Sequence, residues 1–138
     1  MGRLAHHRIA FKDAYGAQGE HRRDNARNLA RRLLRRRNRP SAIFAASDTQ
    51  ALGVLDAAED LQIAVPEALS VIGSDDIPAA AIAGLTTIRQ RLFESGRSGA
   101  RLLRDLMATQ RRGPVSVDMQ VELVVRSTTA SPTINPIN

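Results

Sequence analysis

Two short, mainly apolar runs, AIFAA at residues 42–46 and LSVIG at residues 69–73, stand on either side of an amphipathic stretch, SDTQALGVLDAAEDLQI. Each run is too short for an independent helix. Pro40 and Ser47-Asp48 bound the first and Pro66 precedes the second, so each predicts a buried strand, the first of them covered on both faces. Between them Ala51, Leu52, Val54, Leu55, Ala58 and Leu61 share one helical face, with Ser47 or Asp48 placed to cap its start. Strand, helix and strand with short links make a βαβ unit, whose crossover is nearly always right-handed and sets the two strands parallel. That unit places the chain in the α/β class, a parallel sheet with flanking helices.

The flanking sequence extends this unit. HRIAF at residues 7–11 predicts a short strand and Lys12–His21 a loop. A helix runs from about Asp24 to Arg36 and stops before Asn38-Arg39-Pro40, because proline disfavours helical dihedrals in the residue before it. After the second strand, IPAAAIAG predicts about one helical turn and Leu85–Gln90 a further strand. From Leu92 to Ala108 the apolar residues Leu92, Phe93, Gly96, Ala100, Leu103 and Met107 follow the helical period, with Leu102 and Leu106 widening the stripe. The period then changes to two. Val115, Val117, Met119, Val121, Leu123 and Val125 alternate with Ser116, Asp118, Gln120 and Glu122, which predicts a half-buried strand or strand pair near a sheet edge. The closing STTASPTINPIN is expected to be loose.

The 138 residues suit one domain, and 43% hydrophobic with 25% charged residues suits a folded one. No apolar run approaches the roughly 20 residues that span a bilayer, and MGRLAHHRIAF holds no uninterrupted apolar core of a signal peptide. A cytoplasmic protein with no membrane partner is the expectation. The absence of cysteine removes disulfides, thiolate metal sites and cysteine nucleophiles. The net charge of +6 is unevenly spread: residues 1–40 carry eleven Arg and Lys12 against Asp13, Glu20 and Asp24, while the remainder is net acidic. HRRDNARNLARRLLRRRNR fits a basic helix lying along phosphates or an anionic membrane. It also fits a solvated helix face, since Leu29, Leu33 and Leu34 make a narrow core-facing stripe and the segment has no aromatic residue to stack on bases.

Ligands of open parallel sheets bind beyond the carboxyl ends of the strands. Both predicted strands end in polar groups, Ser47-Asp48 and Ser74-Asp75-Asp76, which face the same sheet edge and could converge on one ligand. A carboxylate there can accept two hydroxyl hydrogen bonds, which suits a polyol or sugar. Capping competes for two of them: Asp48 for the helix that follows it, Asp76 for the turn entered through Ile77-Pro78. Asp75 is left as the ligand contact. Adjacent carboxylates on one extended strand point to opposite faces, so Asp75 and Asp76 do not form an acid/base couple or a metal site without a bend. A Mg²⁺ site shared by Asp48 and Asp75 would call for a phosphate loop and a lysine, and only Lys12 exists. His6, His7 and His21 have no partners at ligand spacing. Neither an enzyme nor a cofactor is expected.

RPSAIFAASDTQALGVLDAAEDLQIAVPEALSVIGSDDIP, LTTIRQRLFESGRSGARLL and VELVVRSTTASP together resemble the C-terminal part of the effector-binding region of LacI/GalR-type transcriptional repressors, over about Arg39 to Pro132. HHRIAF is similar to the strand that opens the same subdomain, and RDNARNLARRLL to the helix before AIFAASD. The resemblance implies a periplasmic-binding-protein-like, Rossmann-like fold, of which this chain holds an incomplete C-terminal subdomain. In that family two subdomains clamp a small effector, sugar-like or nucleoside-like, and control a helix-turn-helix head that binds operator DNA. Carried over, Asp75 holds the effector, Ser47 and Asp48 stand at the preceding strand mouth, and Gln90 lies near the cleft at the subdomain crossover. Ser74 stands where an aromatic is common and Arg91 where proline usually follows the glutamine.

Nothing in the sequence resembles the head or the opposing jaw. The expected parts are a basic segment over residues 1–38, an effector-binding subdomain over 39–130 and a flexible tail over 131–138. In the family the LFESGRSGARLL helix packs on the subdomain that is missing here, so Leu92, Phe93, Leu103 and Met107 should form a homodimer or domain-swap surface. The competing reading is a dimerising basic module that binds nucleic acid through residues 22–39.

Overall fold

The structure, a computed structural model, describes residues 16–109, 113 and 115–131. The predicted strand at residues 7–11, His6, His7 and nearly all of the predicted tail lie outside the described residues. Helix α1 (Arg23–Leu34) is followed by β1 (Ala42–Phe44), α2 (Asp48–Asp60), β2 (Ser70–Ser74), α3 (Pro78–Ile82), β3 (Thr86–Arg89), α4 (Leu92–Thr109) and β4 (Glu122–Val124). The four strands form one sheet in the order β1-β2-β3-β4. The first three run parallel, and β4 lies antiparallel to β3 with Ile88 opposite Leu123.

Of the two residues placed to cap α2, Ser47 does so: its side-chain oxygen accepts from Gln50 N at 3.3 Å. The small face of α2 then seats α1. A Cβ on Gly53 would collide with the Arg23 carbonyl and crowd Ala26, so glycine sets how closely the two helices approach. Ala26 and Ala30 of α1 are buried, as are Ala57 and Ala58 of α2. Leu34, Val54, Leu69, Val71 and Leu85 join Ala30, Ala57 and Ala58 in one core against the sheet, flanked by Ile43, Leu61, Ile63 and Ile77. Val71 and Gly73 of β2 are buried on the α2 side.

The other side of the sheet is barely covered. Phe44, on the same face as Ile72, is 62% exposed, so among the described residues β1 is the edge strand and is not covered on both faces as its apolar run predicted. An apolar run reports what a strand can bury, and among the described residues no helix lies over Phe44 to bury it. The alternating segment differs for the same reason. Only Glu122–Val124 pairs as strand, and Val115, Val117, Val121, Leu123 and Val125 are all exposed. α4 has no buried residue and only slight contact with the other elements.

Residues 127–130, the start of the stretch expected to be loose, are held in place. Thr128 is buried, donates its hydroxyl to Val71 O at 2.7 Å, and receives Thr86 N at 2.9 Å. Its carbonyl accepts from Val71 N at 2.8 Å. It thereby satisfies β2 backbone groups beside the point where β3 begins, a role the polar composition of STTAS does not reveal.

Candidate functional site

β2 carries the chain from the core to the surface at Ser74, and the pairing with β3 persists one residue further through Asp75 N to Ile88 O at 2.9 Å. There the backbone turns. Asp75 has φ 120° and Asp76 φ 57°, both in the region that side-chain-bearing residues seldom occupy. The bend sends the two neighbouring carboxylates to different partners. Asp75 Oδ1 accepts from the Gln90 amide at 2.9 Å, and the same amide nitrogen lies 3.3 Å from Ser74 Oγ. Asp76 Oδ2 accepts from Arg89 Nε at 2.6 Å and its Oδ1 from Arg126 Nη2 at 2.6 Å.

These two arginines, Arg126 first, hold the Asp76 carboxyl below the ordinary carboxylate range. Each also anchors elsewhere, Arg126 to Leu85 O at 2.7 Å and Arg89 to Glu122 at 3.2 Å. The bend is therefore clamped to β3 and β4. Asp76 does not cap the turn at Ile77-Pro78, because both of its oxygens are taken by guanidinium groups. Asp48 fills that role: its Oδ2 accepts from Ile77 N at 2.9 Å and its Oδ1 from the Thr87 hydroxyl at 2.5 Å.

That arrangement corrects the expectation of Asp48 as a ligand contact. Its side chain is 0% exposed and both oxygens are engaged inside the fold, so it supports the bend from beneath and offers nothing to a ligand. Ser47 is half-buried and its oxygen serves as the cap of α2. Of the expected set, Ser74, Asp75 and Gln90 are brought together, while Ser47 and Asp48 serve the frame around them. Sequence reasoning missed Thr87, Arg89 and Arg126. Arg126 lies 50 residues from Asp76 along the chain, and no local spacing connects the two.

Among the described residues, nothing bonds to the second oxygen of Asp75. A free carboxylate oxygen beside a carboxamide and a hydroxyl gives acceptors and donors within reach of one another, which matches adjacent hydroxyl groups on a polyol. The mouth is an open rim. The concavities of about 690 and 620 Å³ lie along α1 instead, the larger lined mainly by apolar residues of α1, β1 and α2, the smaller by Arg23, Arg27 and Arg31 together with Asp24, Asn28 and Asp56. Neither includes Asp75, and the chemistry of the strand mouth is the better guide to a ligand than concavity alone. Leu92, Phe93, Leu103 and Met107 on α4 are 61–79% exposed.

A family profile described as the periplasmic binding protein-like domain matches residues 2–129. The HTH-type transcriptional repressor PurR of Yersinia enterocolitica is 29% identical over 124 residues, which are 88% of this chain and 36% of that protein. The transcriptional regulator CelR, solved as a cellobiose complex, superposes with a TM-score of 0.80 at 29% identity, over 91% of this chain and 39% of that one. A LacI family transcriptional regulator from Enterococcus faecium with bound ribose superposes with a TM-score of 0.67 at 29% identity, over 79% of this chain and 41% of that one. The chain thus spans well under half the length of each of these relatives. Profile, relatives and fold agree: the chain belongs to the periplasmic binding protein-like domain family, as a LacI-type effector-binding domain that covers part of its relatives.

Proposed function

We propose that the chain is one half of a sensor for a sugar-like small molecule, acting by binding and not by catalysis. In this reading it controls operator DNA binding by a helix-turn-helix head. The observation that carries it is the strained bend at the end of β2, which holds Asp75 at the sheet rim beside Gln90 and Ser74 with one carboxylate oxygen free for a ligand hydroxyl. The relatives with bound cellobiose and ribose support a sugar over other polyols. A cytoplasmic location accords with such a role, and among the described residues no helix is long and apolar enough to cross a membrane.

The second jaw comes from another chain or segment. The exposed α4 stripe of Leu92, Phe93, Leu103 and Met107 supports a homodimer or swapped assembly that covers it. Thermal unfolding with and without millimolar cellobiose, ribose and nucleosides tests the reading, because a ligand that binds only the native state raises its apparent stability. At a concentration of about 100 Kd the stabilisation is about 2.7 kcal/mol. One of the sugars should raise the midpoint of the wild type and leave that of Asp75→Ala unchanged. An equal shift in both proteins would remove Asp75 from the site.

A further inference from the structure

We propose that the face formed by the end of α1 and the turn after it, carrying Arg32, Arg35, Arg37 and Arg39, docks the phosphate backbone of a nucleic-acid duplex. Residues 31–39 hold six arginines and no acid. Arginines earlier in the helix are used inside the fold: Arg23 pairs with Asp56 at 2.6 Å, Arg27 with Asp60 at 2.5 Å, and Arg31 lies 3.9 Å from Asp60. α2 ends at Asp60, which reaches Arg31 in the last turn of α1 and acts on Arg35 only through space, and α2 has no acid beyond it. Arg32, Arg35, Arg37 and Arg39 are exposed, and among the described residues none of them forms an ion pair.

Stabilisation of the α1 carboxyl end accounts for cations within its last turn only. Arg37 and Arg39 lie beyond the helix, so capping does not explain them. Clustered guanidinium groups repel one another, and a polyanion relieves that repulsion while each fork takes a phosphate in two hydrogen bonds. The partner's class follows from what the face lacks. No large apolar side chain in residues 16–40 is exposed, whereas a helix that lies on a bilayer needs an apolar face. The same segment has no Phe, Tyr or Trp on which the bases of a single strand could stack. Phosphates at one charge per about 1.7 Å of duplex axis remain as the fitting surface.

Fluorescence anisotropy with a labelled, mixed-sequence DNA duplex tests the proposal in a salt titration. Four phosphate contacts give a log–log salt slope of about −3 to −4, or about a hundredfold loss of affinity between about 50 and 200 mM salt. Replacing Arg32, Arg35, Arg37 and Arg39 together by alanine should cost at least about tenfold at the lower salt and flatten the slope, with the circular dichroism melt retained. The control replaces Arg91, Arg97, Arg101 and Arg104, which removes the same charge elsewhere and should leave binding near the wild-type value. Asp75→Ala should bind the duplex as wild type does, which separates this surface from the sugar site. Absence of binding at about 50 mM salt, equal losses in the two quadruple variants, or tighter binding to phosphatidylserine-containing vesicles than to the duplex would each overturn it.

Discussion

Asp75 occupies a backbone conformation that costs of order 1–3 kcal/mol for a residue with a side chain, and the surrounding bonds hold it there. Glycine adopts the same φ without that cost. Asp75→Gly is therefore predicted to leave the urea midpoint unchanged or raise stability by up to about 1 kcal/mol. Sugar binding should be lost in the same variant, so stability and function move apart. Asp48 behaves in the opposite way. Its two oxygens meet two donors, Ile77 N and the Thr87 hydroxyl, in a fully buried place. Asp48→Asn turns one acceptor into a donor facing a donor, and equilibrium unfolding should show a loss of about 1–3 kcal/mol. No loss would mean that the bend is held by the arginine clamp on Asp76 alone.

Between elements, magnitudes decide what joins α1 to α2. The Arg23–Asp56 and Arg27–Asp60 pairs are geometrically good, but their arginines are about half exposed, and such pairs contribute at most about 1 kcal/mol each. Leu34 is 3% exposed in the core, and Leu34→Ala should cost about 2–5 kcal/mol. Denaturant melts of Leu34→Ala and Asp60→Asn should rank in that order, and the reverse order would make the helix pair electrostatic. The arginines lower the carboxyl pKa of Asp56, Asp60 and Asp76. A lowered folded value stabilises the fold above the unfolded carboxylate pKa of about 4, and that stability is lost as pH falls through the folded value. Acid melts should accordingly flatten below about pH 4 when all three are replaced by asparagine.

The same elements show what was legible in the sequence. The βαβ unit, α1 and α4 follow from periodicity and breakers, because a helix or strand that must bury a face writes that need locally. The mouth at Ser74 and Asp75 was equally legible, since a strand end is marked by the residues that end it. What a face is covered by is a property of the partner, and so the exposure of Phe44 and of the alternating valines was not legible. Contacts closed across the fold, such as Arg126 on Asp76 or Thr128 on Val71, leave no spacing to read.

At the scale of the molecule, among the described residues one layer of helices covers one face of a small sheet, and the apolar surface of α4 is left outside. A stripe of that kind favours association in water. Sedimentation velocity should find a dimer or larger species that Leu103→Glu with Met107→Glu converts to monomer. A wild-type monomer at tens of micromolar would remove α4 as a self-association surface. Amide exchange should be faster in α4 than in α2 for the monomeric variant, because α4 packs against so little of its own chain. The rim around Asp75 is built on the β2–β3 frame clamped through Arg89 and Arg126.

The most direct test of the sugar-sensing claim is a residue-resolved ¹H–¹⁵N titration of the chain with cellobiose and with ribose. One of them should shift the backbone amides of Ser74 and Asp75 and the side-chain amide of Gln90 saturably, with α1 unmoved. Shifts confined to the α1–β1 groove, or none near Asp75 with either sugar, would contradict that claim.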